Sequence, residues 1–320
     1  MSSSPKNILV IGGSYFIGRT FVEFMAKNCT DNIFLVNRGN CPLQMEGITE
    51  IRADRHNEKE IGSVLQKHRW DGIIDFCGYG PDDINQLVPF FPRSEIGQYI
   101  FISSAAVYES NLELPVQENG AKLSHPQPHL GPASDYGFHK YLAETALTSG
   151  CRNSGIPYTI LRPTIVYGPY NYAPREQYFF DQILNSRPVV IPEPDLSLFQ
   201  FVYVNDIASI ITACLGNKDT YAKEYNLSAP ELISYSRLVD LLSRIIGKIP
   251  KKNAMTIEQI NQEKIPLPFP LDCHFIFDGN RISRDLRFEY TGIVKGMQQT
   301  FEWYHGCRKS IQLRSNSIDE

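Results

Sequence analysis

The sequence of 320 residues lacks the features that would place it in a membrane, in an oxidising compartment or on a metal. No apolar run approaches the roughly 18 residues needed to span a bilayer. The first apolar run, Asn7–Ile11, ends at Gly12 and is too short for a secretory signal. The cysteines, at 29, 41, 77, 151, 214, 273 and 307, are odd in number and none pair as CxxC, so free thiols are expected. The seven histidines are scattered, and no metal site is expected. Excess charge is also lacking: 31 basic against 35 acidic residues leaves −4, which offers a nucleic acid no net attraction. Repeats and low-complexity tracts are absent. With 42% hydrophobic and 21% charged residues the chain is neither disordered nor collagen-like. A cytoplasmic, globular protein with no membrane attachment is expected.

What is present is an alternation of short apolar runs with helical patterns. Asn7–Ile11, Asn32–Val36, Thr49–Arg52, Gly72–Asp75, Gln98–Ser103 and Tyr158–Leu161 read as strands. Helical patterns cover Phe16–Lys27, Glu58–His68, Asp82–Phe91 and about Asp135 to Ser154, the last after a polar, Pro-rich loop, Asn111–Pro132. Wholly apolar strands separated by helices predict an α/β fold, a doubly wound parallel sheet of Rossmann type covered on both faces. Beyond Pro163 prolines cluster at 163, 169, 174, 188, 192 and 194, and helices (Glu176–Leu184, Asp206–Leu215, Ser234–Ile246, Val294–Tyr304) stand between irregular stretches. The division expected is a Rossmann-type domain over 1–166, with crossings back from about 199–227, and a smaller, mostly helical C-terminal lobe over 167–320. Phe199–Val204 and Glu224–Leu227 read as strands, and the tail from Lys309 as frayed.

Residues 12–18, Gly-Gly-Ser-Tyr-Phe-Ile-Gly, lie directly between a strand and a helix. Gly12 allows a tight turn, Gly18 lets the helix approach the sheet, and the helix N-terminus presents free N–H groups to a pyrophosphate. Ser14, Tyr15, Phe16 and Ile17 complete the cofactor loop; Tyr15 takes the place of the middle glycine and must turn its side chain outward. At the end of the second strand an acid would bind the ribose diol of NAD. Here Asn37 is uncharged and Arg38 follows, so NADP is expected, with NAD as the alternative. Asp54, after the third strand, is a candidate acceptor for the adenine amino group.

Ser103-Ser104-Ala105-Ala106-Val107-Tyr108 ends the fifth strand, and Tyr136-Gly137-Phe138-His139-Lys140 opens the long helix. Residues i and i+4 share a helix face, so Tyr136 and Lys140 project together. A phenol ionises near pH 10 on its own, and an ammonium beside it lowers that value. With a serine hydroxyl to hold a substrate oxygen, the set can move a proton on or off a carbinol while hydride passes to a nicotinamide.

These motifs resemble the extended short-chain dehydrogenase/reductase family, the NAD-dependent epimerase/dehydratase group. The resemblance runs on through Leu161-Arg162-Pro163, Tyr167-Gly168-Pro169, Phe201-Val202-Tyr203-Val204-Asn205-Asp206 and the late segment from Phe277-Asp278 to Asp285-Leu286. It implies Ser104, Tyr136 and Lys140 as the catalytic triad, Lys140 also on the nicotinamide ribose, and Cys77, Gly78, Ser103 and Pro163 along the cofactor. It implies an epimerase or oxidoreductase acting on a secondary alcohol or ketone of a sugar or sugar nucleotide, and a small-molecule partner; a homodimer is an open possibility. Two departures stand out. The Asp-Glu pair that drives water loss in sugar 4,6-dehydratases is replaced by Ala105 and Ala106. The arginine that grips the diphosphate in sugar-nucleotide epimerases is missing from Pro266–Pro270, leaving Lys264 or Arg281 as substitutes. If the apolar stretch Ile265–Leu271 lines the pocket, weak binding of UDP-sugars follows. The chain also resembles an atypical branch that includes chloroplast RNA-binding proteins, which gives the alternative of an RNA- or protein-interaction module with vestigial catalysis.

Overall fold

A computed structural model describes residues 4–110 and 113–316. The first two residues of the expected loop Asn111–Pro132 and the last four of the tail lie outside the described residues. The elements in chain order are β1 (Asn7–Ile11), α1 (Phe16–Asn28), β2 (Asn32–Asn37), β3 (Ile48–Arg52), α2 (Glu58–Lys67), β4 (Gly72–Asp75), α3 (Pro81–Asn85), β5 (Tyr99–Ile102), α4 (Tyr136–Ser154) and β6 (Tyr158–Pro163). They continue as β7 (Ile165–Tyr167), α5 (Glu176–Leu184), β8 (Val189–Pro192), β9 (Phe201–Tyr203), α6 (Val204–Cys214), β10 (Lys223–Leu227), α7 (Tyr235–Ile246), β11 (Lys252–Met255), α8 (Ile257–Gln262), α9 (Asn280–Leu286) and α10 (Ile293–Asn316).

The chain divides into two compact units: residues 1–164, 205–228 and 277–289 form one, and 165–204, 229–276 and 290–320 the other. In the first, seven strands pair in the order β10-β6-β5-β4-β1-β2-β3, and every pairing is parallel. The order reverses between β1 and β4, and in such sheets ligands bind outside the strand C-termini at that switch point. β1, β4, β5 and β6 are apolar almost throughout because helices cover both faces. Leu9, Trp70, Ile73, Phe101, Leu147 and Ile160 form the core of one face. A side-chain cap fixes the start of α2, where Asn57 accepts from Lys59 N and Glu60 N, and the left-handed Gly155 closes the end of α4 through its backbone.

In the second unit, β7 pairs with β9 and β8 with β11, both in parallel. Phe179, Phe199, Phe201, Tyr235 and Phe269 stack into an aromatic core. Tyr178, Phe179 and Phe180 open to the same explanation: Phe179 and Phe180 are buried, packed inside this unit.

Several expectations are corrected. The helix expected over Asp82–Phe91 is α3 followed by a 3-10 turn, Val88–Arg93; Pro89 and Pro92 have no amide to donate and break the ladder. The strand expected over Phe199–Val204 pairs with β7 and not with the large sheet, which is joined by β10 alone of the two. The C-terminal helix does not stop at Tyr304; α10 continues through the expected frayed tail to Asn316. No described helix is long and apolar enough to cross a membrane, and all seven cysteines are free thiols.

Candidate active site

The Gly12–Gly18 turn is built by close approaches. Gly12 has φ +85°, and a Cβ there would lie 2.8 Å from the Cβ and Sγ of Cys77. A Cβ on Gly18 would lie 2.6 Å from the Gly12 carbonyl oxygen, so α1 is held against the turn by the absence of a side chain. Tyr15 does turn outward: it is 58% exposed, and its hydroxyl meets Cys41 Sγ at 2.6 Å. That contact raises the phenol's pKa. Phe16 is buried with φ +36°, a strained conformation for a residue with a Cβ; nothing in its residue type announced it. Ile17 follows in α1, half-buried. The Ser14 Oγ is buried without a hydrogen-bond partner.

At the end of β2, Asn37 Nδ2 donates to Glu50 Oε2 at 2.8 Å and Asn37 Oδ1 accepts from Gly39 N at 2.8 Å. Arg38 is exposed. The uncharged strand end read from the sequence therefore has a carboxylate fastened to it, delivered from the neighbouring strand. Asp54 Oδ1 accepts from His56 N at 3.0 Å, capping its own turn.

The far side of the switch point holds β5 and α4. Lys140 is 2% exposed. Its Nζ donates to the Ile102 carbonyl oxygen at 2.7 Å and lies 4.7 Å from the Phe101 ring centroid and 5.3 Å from that of Tyr79. Desolvation lowers its pKa to about 8, against an opposing pull from Asp75. Ser104 Oγ accepts from Ala106 N at 3.1 Å and so caps the turn Ala105–Val107. Ser103 Oγ is buried without a partner. Tyr136 opens α4, 41% exposed. Gly137 docks that first turn onto the 105–107 turn so closely that a Cβ would sit 2.1 Å from the Ala106 carbonyl oxygen. This contact brings the Tyr136–Lys140 turn onto the Ser104 segment. The glycine was visible in the motif but its purpose was not. Gly137→Ala is expected to cost about 1–3 kcal/mol by overpacking and to lower turnover about 10²-fold if α4 shifts by ~1 Å. Calorimetry and steady-state rates measure both; wild-type values in this variant would mean the docking is loose. Ala105 and Ala106 leave no carboxylate in this turn. His139 is exposed. Pro163 ends β6.

Sequence reasoning missed a buried ionic network behind Cys77. Arg55 grips Asp75 through two hydrogen bonds, at 2.9 and 3.0 Å, and Tyr99 donates to the same carboxylate at 2.7 Å. Burial alone would raise the Asp75 carboxyl, yet Arg55 and Tyr99 hold it below the usual range. The same burial pushes the Cys77 thiol up to about 11, so it is protonated at neutral pH. A Cβ on Gly78 would lie 2.6 Å from the Phe101 ring.

Two expectations about substrate contacts concern residues that have protein partners of their own. Arg281 is engaged on the sheet edge: its Nη1 donates to the Glu224 carbonyl oxygen at 3.3 Å and its guanidinium lies over the Tyr225 ring. Ile265, Leu267 and Leu271 pack against Val190, Met255 and Ile260 inside the second unit, and Phe269 is buried there. Part of the apolar character of that stretch answers to the core of its own unit, where Ile265, Leu267 and Leu271 are partly buried. Among the described residues no three His, Cys, Asp or Glu side chains group to hold a metal ion; His125 and His129, four apart, lie in a Pro-rich stretch.

A seven-stranded parallel sheet with the order reversal at β1/β4, a glycine turn on one side and Tyr136-x-x-x-Lys140 on the other define a class of nucleotide-binding oxidoreductase folds. Residues 8–228 match the NAD dependent epimerase/dehydratase family, and the chain belongs to it. It is 28% identical over 260 residues to the chloroplast stem-loop binding protein of 41 kDa b of Arabidopsis thaliana, a match covering 77% of this chain and 65% of that protein. It is 21% identical over 337 residues to the dTDP-glucose 4,6-dehydratase of Salmonella typhimurium, covering 93% and 92%. The crystal structure of UDP-glucuronic acid 4-epimerase from Bacillus cereus, in complex with UDP-glucuronic acid and NAD, superposes with a TM-score of 0.75 at 21% identity, covering 94% of this chain and 99% of that one.

Proposed function

We propose that this protein is an NAD-dependent epimerase or oxidoreductase that reversibly oxidises a secondary alcohol of a sugar nucleotide. The observation that carries the reading is the docking of the α4 first turn on the Ser104 segment, with the Lys140 ammonium buried on the last carbonyl of β5. The residues present fit a dinucleotide: Ser14 Oγ and Ser103 Oγ are buried donors with no partner of their own, and the Gly12–Gly18 turn leaves the backbone bare where a pyrophosphate approaches. Gly12, Ser14, Phe16, Ile17 and Gly18 would hold the pyrophosphate, Cys77, Gly78, Ser103 and Pro163 the nicotinamide half. A bound nicotinamide supplies the hydride acceptor. Tyr136 takes the carbinol proton as general base and returns it as general acid. Lys140 favours the phenolate by its charge. Ser104 holds the substrate oxygen. The dehydratase within the family is a less suitable guide to the chemistry, because Ala105 and Ala106 offer no acid to a leaving hydroxide.

The NADP expectation rested on Asn37 and Arg38. Against it, Glu50 fixes a carboxylate on the Asn37 amide while Arg38 is exposed, and the Bacillus cereus neighbour holds NAD. A held carboxylate repels a 2′-phosphate and accepts from a ribose diol, whereas ordering an exposed arginine costs side-chain entropy. NAD is accordingly preferred. Calorimetric titration of wild type is expected to give tighter binding of NAD, and Glu50→Gln to shift the ratio toward NADP by about tenfold, or ~1.4 kcal/mol. Tighter NADP binding in wild type, lost in Arg38→Ala, would restore the NADP reading. A thermal-shift screen of UDP-, GDP- and dTDP-sugars with NAD present identifies the substrate class. Binding of stem-loop RNA with no affinity for either dinucleotide would overturn the enzyme reading.

A further inference from the structure

Arg55 follows Asp54 at the end of β3 and is buried. Its guanidinium reaches four places. Nη1 donates to Asp75 Oδ1 at 2.9 Å and to Cys77 Sγ at 3.1 Å; Nη2 donates to Asp75 Oδ2 at 3.0 Å and to the Asp83 carbonyl oxygen at 2.8 Å. Nε faces Asp83 Oδ1 at 3.6 Å. Asp83 Oδ2 in turn accepts from Tyr79 N at 2.6 Å and Gly80 N at 2.9 Å, and Asp75 Oδ1 accepts from Cys77 N at 3.0 Å. Asp75 and Phe76 are also held by the sheet and by Tyr99, but from Cys77 to Asp83 one side chain, Arg55, ties the thiol, the Asp83 carbonyl and the Asp75 carboxylate together.

That segment touches both halves of the candidate site. Cys77 occupies the space where a side chain on Gly12 would stand, so it walls the phosphate turn. The Tyr79 ring lies beside the Lys140 ammonium. Stability alone does not account for the arrangement, because a buried ion pair is often matched or bettered by apolar residues of similar volume. A planar five-donor fork does suit the fixing of several acceptors at once.

We propose that Arg55 is a positioning residue for the dinucleotide site, holding Cys77 against the Gly12 turn and Tyr79 beside Lys140 by clamping the 75–83 segment. The proposal rests on the reading that this turn binds a nicotinamide dinucleotide.

The test uses the full chain. Arg55→Met alone strands the Asp75 carboxylate in the core and can fail to fold, so the decisive variant is Arg55→Met/Asp75→Asn, in which the amide still serves Tyr99 and Cys77 and the Asp75 charge goes with its partner; Asp83 loses its more distant pairing with Arg55 Nε but keeps the Tyr79 and Gly80 amides. NAD affinity is measured by calorimetry, and amide hydrogen exchange is followed at Cys77–Gly80 without cofactor. The double variant is expected to melt near wild type, to bind NAD about tenfold to hundredfold more weakly, and to exchange faster at Tyr79 and Gly80. Cys77→Ala is expected to weaken NAD binding in the wild-type background and to add nothing in the double variant, since the wall has already been released. A folded double variant with wild-type NAD affinity and unchanged exchange overturns the proposal and leaves the dinucleotide reading intact. A wild-type protein that binds no dinucleotide overturns both, and the wild-type titration alone reveals it. Arg55→Lys keeps the charge but not the fork; recovery of full affinity in that variant also overturns the clamp.

Discussion

Tyr136→Phe is expected to lower turnover by about 10²–10⁴-fold, the usual worth of a lost acid/base group, with melting temperature and NAD affinity unchanged. The change removes one oxygen from a side chain that is 41% exposed, so little packing is lost with it. Lys140→Met removes both roles proposed for the lysine. It is expected to lower both turnover and NAD affinity, because in the proposed site the ammonium would favour the phenolate and hold the nicotinamide ribose. It is not expected to destabilise the fold, since burying the amine already works against its charge. The pH profile carries the same assignment. Below about pH 8 Lys140 is charged; above it the proton leaves, the phenol loses its electrostatic support, and kcat/KM of the free enzyme is expected to fall. The stability effect runs the other way: the unfolded lysine holds its proton to higher pH, so the cost of burying the charge lessens as pH rises past 8. Steady-state kinetics on the identified substrate, with titrations of NAD in parallel, read all three. Full activity in Tyr136→Phe removes the triad assignment.

The parts legible in the sequence are those written in consecutive residues. Asn7–Ile11 followed by Gly12 and the pattern of α1 announce a strand, a turn and a helix because both periodicities and the glycines are local. The Tyr136/Lys140 spacing is legible for the same reason. What stays hidden needs two distant segments. Val189–Pro192 is short and looks like loop; it becomes a strand by pairing with Lys252–Met255, some 60 residues on. Glu50 on Asn37, and Arg55 on Asp75, join separate strands of a sheet whose order no local pattern supplies. The Pro-rich stretch after Ile265 shows a related failure: apolar residues say that something is covered, not whether the cover is substrate or the chain itself. Gly137 lies between, since a glycine inside a helical pattern signals close backbone approach without naming the neighbour.

Arg162→Met is expected to destabilise the first unit by about 3–5 kcal/mol. Arg162 is 1% exposed on β6. Its Nε and Nη2 take the two oxygens of buried Glu144 at 2.8 and 2.6 Å, Nη2 also reaches Glu224 at 2.6 Å, and Nη1 donates to the Tyr108 hydroxyl at 2.9 Å. Tyr108 donates onward to Asn226 on β10 at 2.6 Å. One guanidinium thus joins α4, β6, β10 and the strand end that carries Ser104. Removing it leaves the Glu144 carboxylate buried and unpaired, which is where the cost arises; Glu224, 39% exposed, can turn to water and adds little. For a unit of about 200 residues the loss corresponds to a fall in Tm of roughly 6–20 °C. Arg162→Met/Glu144→Leu removes both charges and is expected to recover most of that loss. Added salt should leave the wild-type contribution unaltered, as screening does not reach a buried pair. Differential scanning calorimetry of the three proteins decides the matter: a single variant within about 1 kcal/mol of wild type, or a double variant as unstable as the single, shows that the network does not bind these elements together.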